Sequence, residues 1–136
     1  MLKKLRNKSV LLVDDDAGLL KALSKALAAE GAEVTCAEWA GDAMEILAGL
    51  QKKLDRIDLV ITDLRMPFVT GLTLVYAIHK VSPNLPVIVL TGLGTPEINE
   101  ECVRQGAAVV LEKPLDTVRL LEAVDKVFED KKKVAK

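Results

Sequence analysis

The segment Val10-Leu-Leu-Val13 is an unbroken apolar run that leads directly into three carboxylates, Asp14-Asp-Asp16. Other apolar runs follow along the chain, at Leu59-Val-Ile61, Val87-Ile-Val-Leu90, Ala107-Ala-Val-Val-Leu111 and, more polar than the rest, Glu33-Val-Thr-Cys-Ala37. Continuous apolar runs are typical of strands that are covered on both faces, as in a parallel sheet. The more polar run fits an edge strand.

Segments with helical period separate these runs. The first helix is predicted to begin after Asp16, which can cap it, and to stop at Gly31. Thr95-Pro96 supplies a capping hydroxyl and a first-turn proline to the fourth helix, and Asp116 can cap the fifth. The resulting (βα)5 pattern predicts an α/β fold, a doubly wound parallel five-stranded sheet with helices on both faces. We expect the strand order 2-1-3-4-5.

The composition is that of one globular domain. Half of the 136 residues are hydrophobic and the mean hydropathy is +0.24, which opposes disorder. Nineteen basic against twenty acidic residues disfavour binding to nucleic acid, and no apolar run approaches the ~20 residues that cross a bilayer. We expect a cytoplasmic domain over residues 1–128, without nucleic-acid or membrane partners, and a basic, unstructured tail or truncated linker over residues 129–136.

Polar side chains gather at the ends of the predicted strands. Asp14 and Asp15 follow the first strand, Asp63 and Thr91 end the third and fourth, and Lys113 follows the fifth. Ligands of open parallel sheets bind beyond the carboxyl ends of the strands, so we expect one crevice to hold all five residues. Three carboxylates beside one lysine repel one another, which favours the binding of a hard cation such as Mg²⁺. Metal, amine and hydroxyl together suit a phosphoryl group, which a carboxylate could receive as an acyl phosphate.

This constellation resembles the receiver domain of two-component response regulators, the CheY-like family, over about residues 4–128. Four motifs carry the resemblance: Val10-Leu-Leu-Val-Asp-Asp15, Val60-Ile-Thr-Asp-Leu-Arg-Met-Pro67 with Gly71, Val89-Leu-Thr-Gly92, and Gln105-Gly-Ala107 with Leu111-Glu-Lys-Pro114. The resemblance implies the flavodoxin-like, CheY-like topology and a phosphoryl group carried by Asp63.

The resemblance also implies the residues around Asp63. The metal, Mg²⁺ with Mn²⁺ as a possible substitute, would be held by Asp14, Asp15, Asp63 and the backbone carbonyl of Arg65. The phosphoryl group would be bound by the Thr91 hydroxyl, the Gly92 amide and the Lys113 amine.

Three further positions follow from the same resemblance. The Lys113–Pro114 bond is expected to be cis, and Gly71 is expected to be structural. Val110 stands where the family often has Tyr or Phe, so only the Thr91 half of the family's switch is present. Arg65 and Leu93 occupy the positions that tune the lifetime of the acyl phosphate, and neither offers a base to water. We therefore predict slow self-dephosphorylation.

The function implied is that of a phosphoacceptor in a two-component system or phosphorelay. The donor would be a sensor histidine kinase or a histidine phosphotransfer protein, and the output would be a downstream protein target or a homodimer. Such a domain is not an enzyme toward other substrates, because it catalyses only its own phosphorylation and dephosphorylation.

Two alternatives stay open at this point. Leu11-Leu-Val-Asp-Asp-Asp16 also fits a haloacid-dehalogenase-like phosphohydrolase, with Asp14 as nucleophile and Asp16 as acid–base. That family needs an acidic motif on a strand after the lysine, and no strand-like run follows Lys113. The chain could also be the N-terminal receiver fragment of a larger transcriptional regulator.

Overall fold

The computed structural model describes residues 5–53, 57–65, 71–92 and 94–135, with side chains given for these ranges except 49–53 and 131–135. Strands and helices alternate along the whole described chain. Their bounds are β1 Ser9–Val13, α1 Ala17–Ala29, β2 Glu33–Ala37, α2 Ala40–Lys53, β3 Leu59–Asp63, α3 Gly71–Val81, β4 Val87–Thr91, α4 Pro96–Arg104, β5 Val109–Glu112 and α5 Thr117–Ala135. Among these helices, none is both long and apolar enough to span a bilayer.

The five strands form one parallel sheet in the order β2-β1-β3-β4-β5, which confirms the predicted topology. Strand β3 lies at the centre, between β1 and β4. The register pairs Val13 with Thr62, Asp63 with Leu90, and Thr91 with Glu112. The carboxyl ends of β1, β3, β4 and β5 therefore meet at one edge of the sheet, the carboxyl edge.

Two apolar layers explain why the central strands are continuously hydrophobic. Val10 and Leu12 pack into a cluster with α1 and α5, whereas Leu11 and Val13 pack into a second cluster with α2, α3 and α4. Because successive strand residues point to opposite faces, a strand covered on both faces needs an apolar residue at every position. Strand β2 has three exposed residues and lies at an edge, as its more polar sequence predicts.

The helix ends follow the predicted capping residues. The Asp16 carboxylate accepts a hydrogen bond from the Leu19 N–H at 3.1 Å, and the Thr95 hydroxyl accepts one from the Ile98 N–H at 3.2 Å. Asp116 caps α5 in the same way, through the Arg119 N–H at 2.7 Å. Beyond α1, Gly31 adopts a φ of 98°, a left-handed conformation that glycine reaches without the steric cost of a Cβ.

Two boundaries differ from the prediction. Strand β5 begins at Val109 rather than Ala107, because the Ala107 N–H donates to the Cys102 carbonyl at 2.9 Å in the turn that ends α4. The residues after 128, predicted to be unstructured, continue α5 as far as Ala135. They contain neither Gly nor Pro and are rich in Lys, so the helix meets no stop signal there. The predicted domain boundary at residue 128 falls within this helix.

Candidate functional site at the carboxyl edge of the sheet

The fold brings the five predicted side chains to the carboxyl edge. Asp63 is the last residue of β3 and only 6% exposed, and Asp14, which directly follows β1, is 2% exposed. Thr91 ends β4 and is buried, whereas Asp15 is exposed. Lys113 follows β5, with its side chain 25% exposed. Two nearly buried carboxylates thus sit beside a third that faces solvent.

Lys113 binds both buried carboxylates. Its Nζ lies 3.0 Å from Asp14 Oδ2 and 3.4 Å from Asp63 Oδ1. The other Asp14 oxygen, Oδ1, accepts a hydrogen bond from the Asp16 N–H at 2.9 Å. Asp14 is therefore held at both oxygens, while the Asp16 carboxylate is used to cap α1. Sequence reasoning did not identify this orienting role of the Asp16 backbone, which no side-chain pattern encodes.

The three carboxylates can supply a set of metal ligands. Asp14, Asp15 and Asp63 each offer an oxygen, and these atoms lie within 4.8 Å of one another. An all-oxygen, anionic donor set suits a hard divalent cation, which would also offset a repulsion that one lysine cannot balance. The residues present therefore fit Mg²⁺.

The environment of Asp63 raises the pKa of its carboxyl above the ordinary value of 3.8. Burial is the largest cause, and the Asp14 charge adds to it. Lys113 and a hydrogen bond donated by the Arg65 backbone N–H act in the opposite direction without reversing the shift. Arg65 thus approaches Asp63 through its backbone, with its side chain exposed; the metal-binding role implied for its carbonyl stays a prediction.

The pKa of the Lys113 amine is raised above its ordinary value of 10.5. Burial, the largest single influence, favours the neutral amine. The hydrogen bond and charge of Asp14, and then those of Asp63, together outweigh burial and favour the ammonium form. Lys113 is therefore a fixed positive charge in the crevice at neutral pH.

Backbone geometry places the residues for which the resemblance implies phosphoryl binding beside this cluster. The Lys113 N–H donates to the Thr91 carbonyl at 2.8 Å, which joins the ends of β4 and β5. The Lys113–Pro114 peptide bond is cis, the isomer that the resemblance implied. A Cβ added to Gly92 would contact no atom within 4 Å, so packing does not require glycine at this position. Val110 is partly buried against the cluster on the α4 side of the sheet.

Gly71 is needed for close packing against the end of β3. A Cβ at this position would contact the Asp63 carbonyl oxygen and would lie 2.8 Å from the Leu64 Cα. The Gly71 N–H also donates to the Leu64 carbonyl at 2.8 Å. A side chain here would displace the backbone that carries Asp63. The motif residues 66–70 and Leu93 lie outside the described residues.

A family model described as the response regulator receiver domain matches residues 10–125. The chain is a response regulator receiver domain. The phosphohydrolase alternative is therefore wrong, in keeping with the Asp16 carboxylate, its expected acid–base, which instead caps a helix.

Similar proteins include both long regulators and separate receiver domains. The transcriptional regulatory protein GlrR of Escherichia coli is 40% identical over 120 residues, which cover 88% of this chain and 26% of GlrR. The chain thus spans about a quarter of the length of that curated relative. A CheY-like receiver domain from Methanospirillum hungatei has a TM-score of 0.84 at 28% identity, covering 93% of this chain and 97% of that one. CheY from Borrelia burgdorferi, solved as a CheX–CheY–BeF3–Mg complex, has a TM-score of 0.85 at 28% identity, covering 94% and 98%.

Proposed function

We propose that this receiver domain accepts a phosphoryl group on Asp63 from a phosphohistidine of a sensor histidine kinase or a histidine phosphotransfer protein. The observation that carries the proposal is the position of Asp63, the last residue of the central strand. Its Oδ1 lies 3.4 Å from Lys113 Nζ, and one of its carboxylate oxygens lies within 4.8 Å of oxygens of Asp14 and Asp15. The CheY relative solved in a complex with BeF3 and Mg supports the same chemistry here.

In the proposed reaction, an Asp63 carboxylate oxygen attacks the donor phosphorus and the P–N bond of the phosphohistidine breaks. The departing imidazole nitrogen keeps the electron pair of that bond and takes a proton, and Asp63 becomes an acyl phosphate. Lys113 offsets the charge of the transferred oxygens, while the Thr91 hydroxyl and the Gly92 amide donate hydrogen bonds to them. Mg²⁺ or Mn²⁺, held by Asp14, Asp15, Asp63 and the Arg65 carbonyl, supplies further positive charge when bound.

The output we propose is a shift between two conformations. Contacts from Thr91 and Lys113 to a phosphoryl group would form only after transfer, so they would stabilise the conformation in which both residues reach it. With Val110 in place of an aromatic ring, the change at Thr91 must reach the surface by another route. A downstream protein or a second copy of the domain would respond to it, in the cytoplasm, without turnover of other substrates.

A second candidate function concerns the whole protein. The matched relative GlrR is a transcriptional regulator about four times as long as the match, and this favours a second reading in which the chain is the receiver domain of such a regulator. In that case DNA binding would belong to another part of the protein. The mass of the native protein distinguishes this reading from that of a separate receiver.

Intact-mass measurement after incubation with phosphoramidate and Mg²⁺ tests the proposed reaction. We expect one added phosphoryl group on the wild-type domain, none on Asp63→Asn, and none when a chelator removes the metal. Asp58→Asn is the matched control, because Asp58 is an equally buried aspartate at the opposite end of β3, and it should be phosphorylated normally. Phosphorylation that persists in Asp63→Asn would contradict the proposal.

A further inference from the structure

Glu112 is a charged residue at the carboxyl edge to which the reaction above gives no role. It ends β5, pairs in register with Thr91, and immediately precedes Lys113. Val109 and Leu111 pack toward α1 and α5, whereas Val110 packs toward α4. Since strand residues alternate between faces, Glu112 lies on the α4 side together with Val110.

The Glu112 side chain occupies the space beside Gly94. A Cβ added to Gly94 would contact the Glu112 carboxylate oxygen Oε1 and would lie 2.8 Å from both Cγ and Cδ. Within the described residues, the three atoms nearest to such a Cβ all belong to Glu112, whose side chain therefore occupies the space that a side chain at position 94 would need.

Gly94 belongs to the connection between β4 and α4. Thr91 precedes it by three residues and Gly92 by two, and Thr95, which caps α4, follows it. The contact between Glu112 and Gly94 thus joins the end of β5 to the segment that links the proposed phosphoryl-binding hydroxyl to α4. No hydrogen bond or ion pair of the Glu112 carboxylate is found within the described part of the chain, so packing is its contribution there.

We propose that Glu112 is a positioning residue: packed against Gly94, it holds Gly94 and the adjoining start of α4 in the position that accompanies the binding of Asp14 and Asp63 by Lys113. This inference rests on the proposed function. A phosphoryl group on Asp63 would draw the Thr91 hydroxyl toward itself, and the residues that follow Thr91 would move with it. The packing contact between Glu112 and Gly94 would then be lost. The contact therefore opposes phosphorylation. It couples β5 to the β4–α4 connection in a chain whose Val110 lacks the aromatic ring.

Two substitutions should release this contact by different means. Glu112→Ala empties the space beside Gly94, and Gly94→Ala fills it and expels the Glu112 side chain. Because Glu112 is exposed, both variants should fold, which circular dichroism checks. We expect each to raise the rate of phosphorylation by phosphoramidate about fivefold, at the low end of the range for coupled sites. The double variant should match either single one, because both remove the same contact.

Two further variants separate packing from charge. Glu112→Gln keeps the shape of the side chain without its charge and should stay within about twofold of the wild-type rate, as expected if its packing is conserved. Glu33→Ala removes an exposed carboxylate from the amino end of the edge strand β2 and should leave the rate unchanged. In NMR spectra, the Thr91 and Gly92 amides of Glu112→Ala should shift toward their positions in the wild-type domain saturated with BeF3⁻ and Mg²⁺.

Each outcome bears on one claim. A wild-type domain that gains no phosphoryl group overturns the proposed function and this inference with it. A wild-type domain that is phosphorylated at the same rate as Glu112→Ala and Gly94→Ala overturns the positioning role alone. Equal acceleration by Glu112→Gln and Glu112→Ala, or additive effects in the double variant, would also overturn it, because charge rather than the contact would then set the rate.

Discussion

Two buried aspartates flank the central strand, and they differ in what surrounds them. Asp58 directly precedes β3 at the amino edge and is 7% exposed, and Asp63 ends β3 at the carboxyl edge and is 6% exposed. The Asp58 carboxylate accepts the Ser9 N–H at 2.8 Å, and the Asp58 N–H donates to the Ser9 carbonyl at 2.7 Å. Asp63 instead lies among two other carboxylates and shares a single lysine with Asp14.

The difference shows that burial alone does not mark a functional aspartate. At the amino edge, a backbone N–H binds one carboxylate, and two hydrogen bonds join the beginnings of β1 and β3. At the carboxyl edge, like charges converge with too little positive charge to balance them, and burial keeps the repulsion strong. The first arrangement is suited to stability, and the second is suited to a ligand that brings positive charge.

The largest effect on stability is expected from Gly71→Ala. The added Cβ would overlap backbone atoms at the end of β3, where no flexible side chain can move aside. We expect a loss of about 3 kcal/mol in the free energy of unfolding, the upper part of the range for overpacking. Denaturant unfolding measures it. The matched control is Gly92→Ala at the same edge, where the Cβ meets open space and stability should change little; equal losses in both variants would contradict the packing argument.

A smaller loss is expected at the amino edge. Asp58→Ala leaves the part-buried Ser9 N–H without the carboxylate that accepts its hydrogen bond, which should cost about 2 kcal/mol in the free energy of unfolding. Asp58→Asn keeps an oxygen acceptor and should lose less, as the same denaturant experiment can show. If Asp58→Ala were as stable as wild type, the contrast between the two edges would fail.

Metal binding should distinguish the two edges directly. At ten times its dissociation constant, Mg²⁺ should raise the free energy of unfolding by about 1.4 kcal/mol, because it binds the folded domain and not the unfolded chain. Thermal unfolding with and without Mg²⁺ measures the effect. Asp58→Asn should keep the full response and Asp15→Asn should lose most of it, so an unchanged response in Asp15→Asn would place the metal elsewhere.

Much of the fold could be predicted from the sequence because its signals are local. Unbroken apolar runs predict strands covered on both faces, and the caps at Asp16, Thr95 and Asp116 are found where the sequence places them. The errors fall where a local signal is weak. The two alanines at 107 and 108 extend the apolar run without forming strand β5, and the charged residues after 128 resemble a solvated tail although they continue a helix.

The candidate site likewise contains some residues whose position could be predicted from the sequence and others whose position could not. Asp14, Asp63 and Lys113 could be predicted to converge because strand order alone brings their strands' ends together. The close approach of Gly71 to β3 and the packing of Glu112 against Gly94 depend on the geometry of the loops between strands and helices. The hydrophobic periodicity of the sequence does not predict that geometry. The structural role of Asp58 could not be predicted from the sequence either, because aspartate is also common in turns that precede strands.

The smallest effect we predict is a pH dependence that the carboxyl edge alone should cause. The pKa of Asp63 is raised in the folded domain, mainly by burial and then by the charge of Asp14, so the folded state holds a proton at pH values where the unfolded chain has released it. The free energy of unfolding should therefore fall as pH rises above the ordinary aspartate value of 3.8 and through the raised pKa. Asp63→Asn removes this contribution and should flatten the dependence in metal-free protein.

The difference between wild type and Asp63→Asn, measured by denaturant unfolding from about pH 4 to about pH 8, isolates Asp63 because the other acidic groups titrate in both proteins. Lys113 does not interfere in this range, since the stability linked to its raised pKa is lost only as pH rises above 10.5. Asp58→Asn is the comparison at the other edge and should keep the contribution of Asp63. If the free energy of unfolding depended on pH in the same way in wild type and Asp63→Asn, the surroundings of Asp63 would not raise its pKa. The two ends of β3 would then differ only in position.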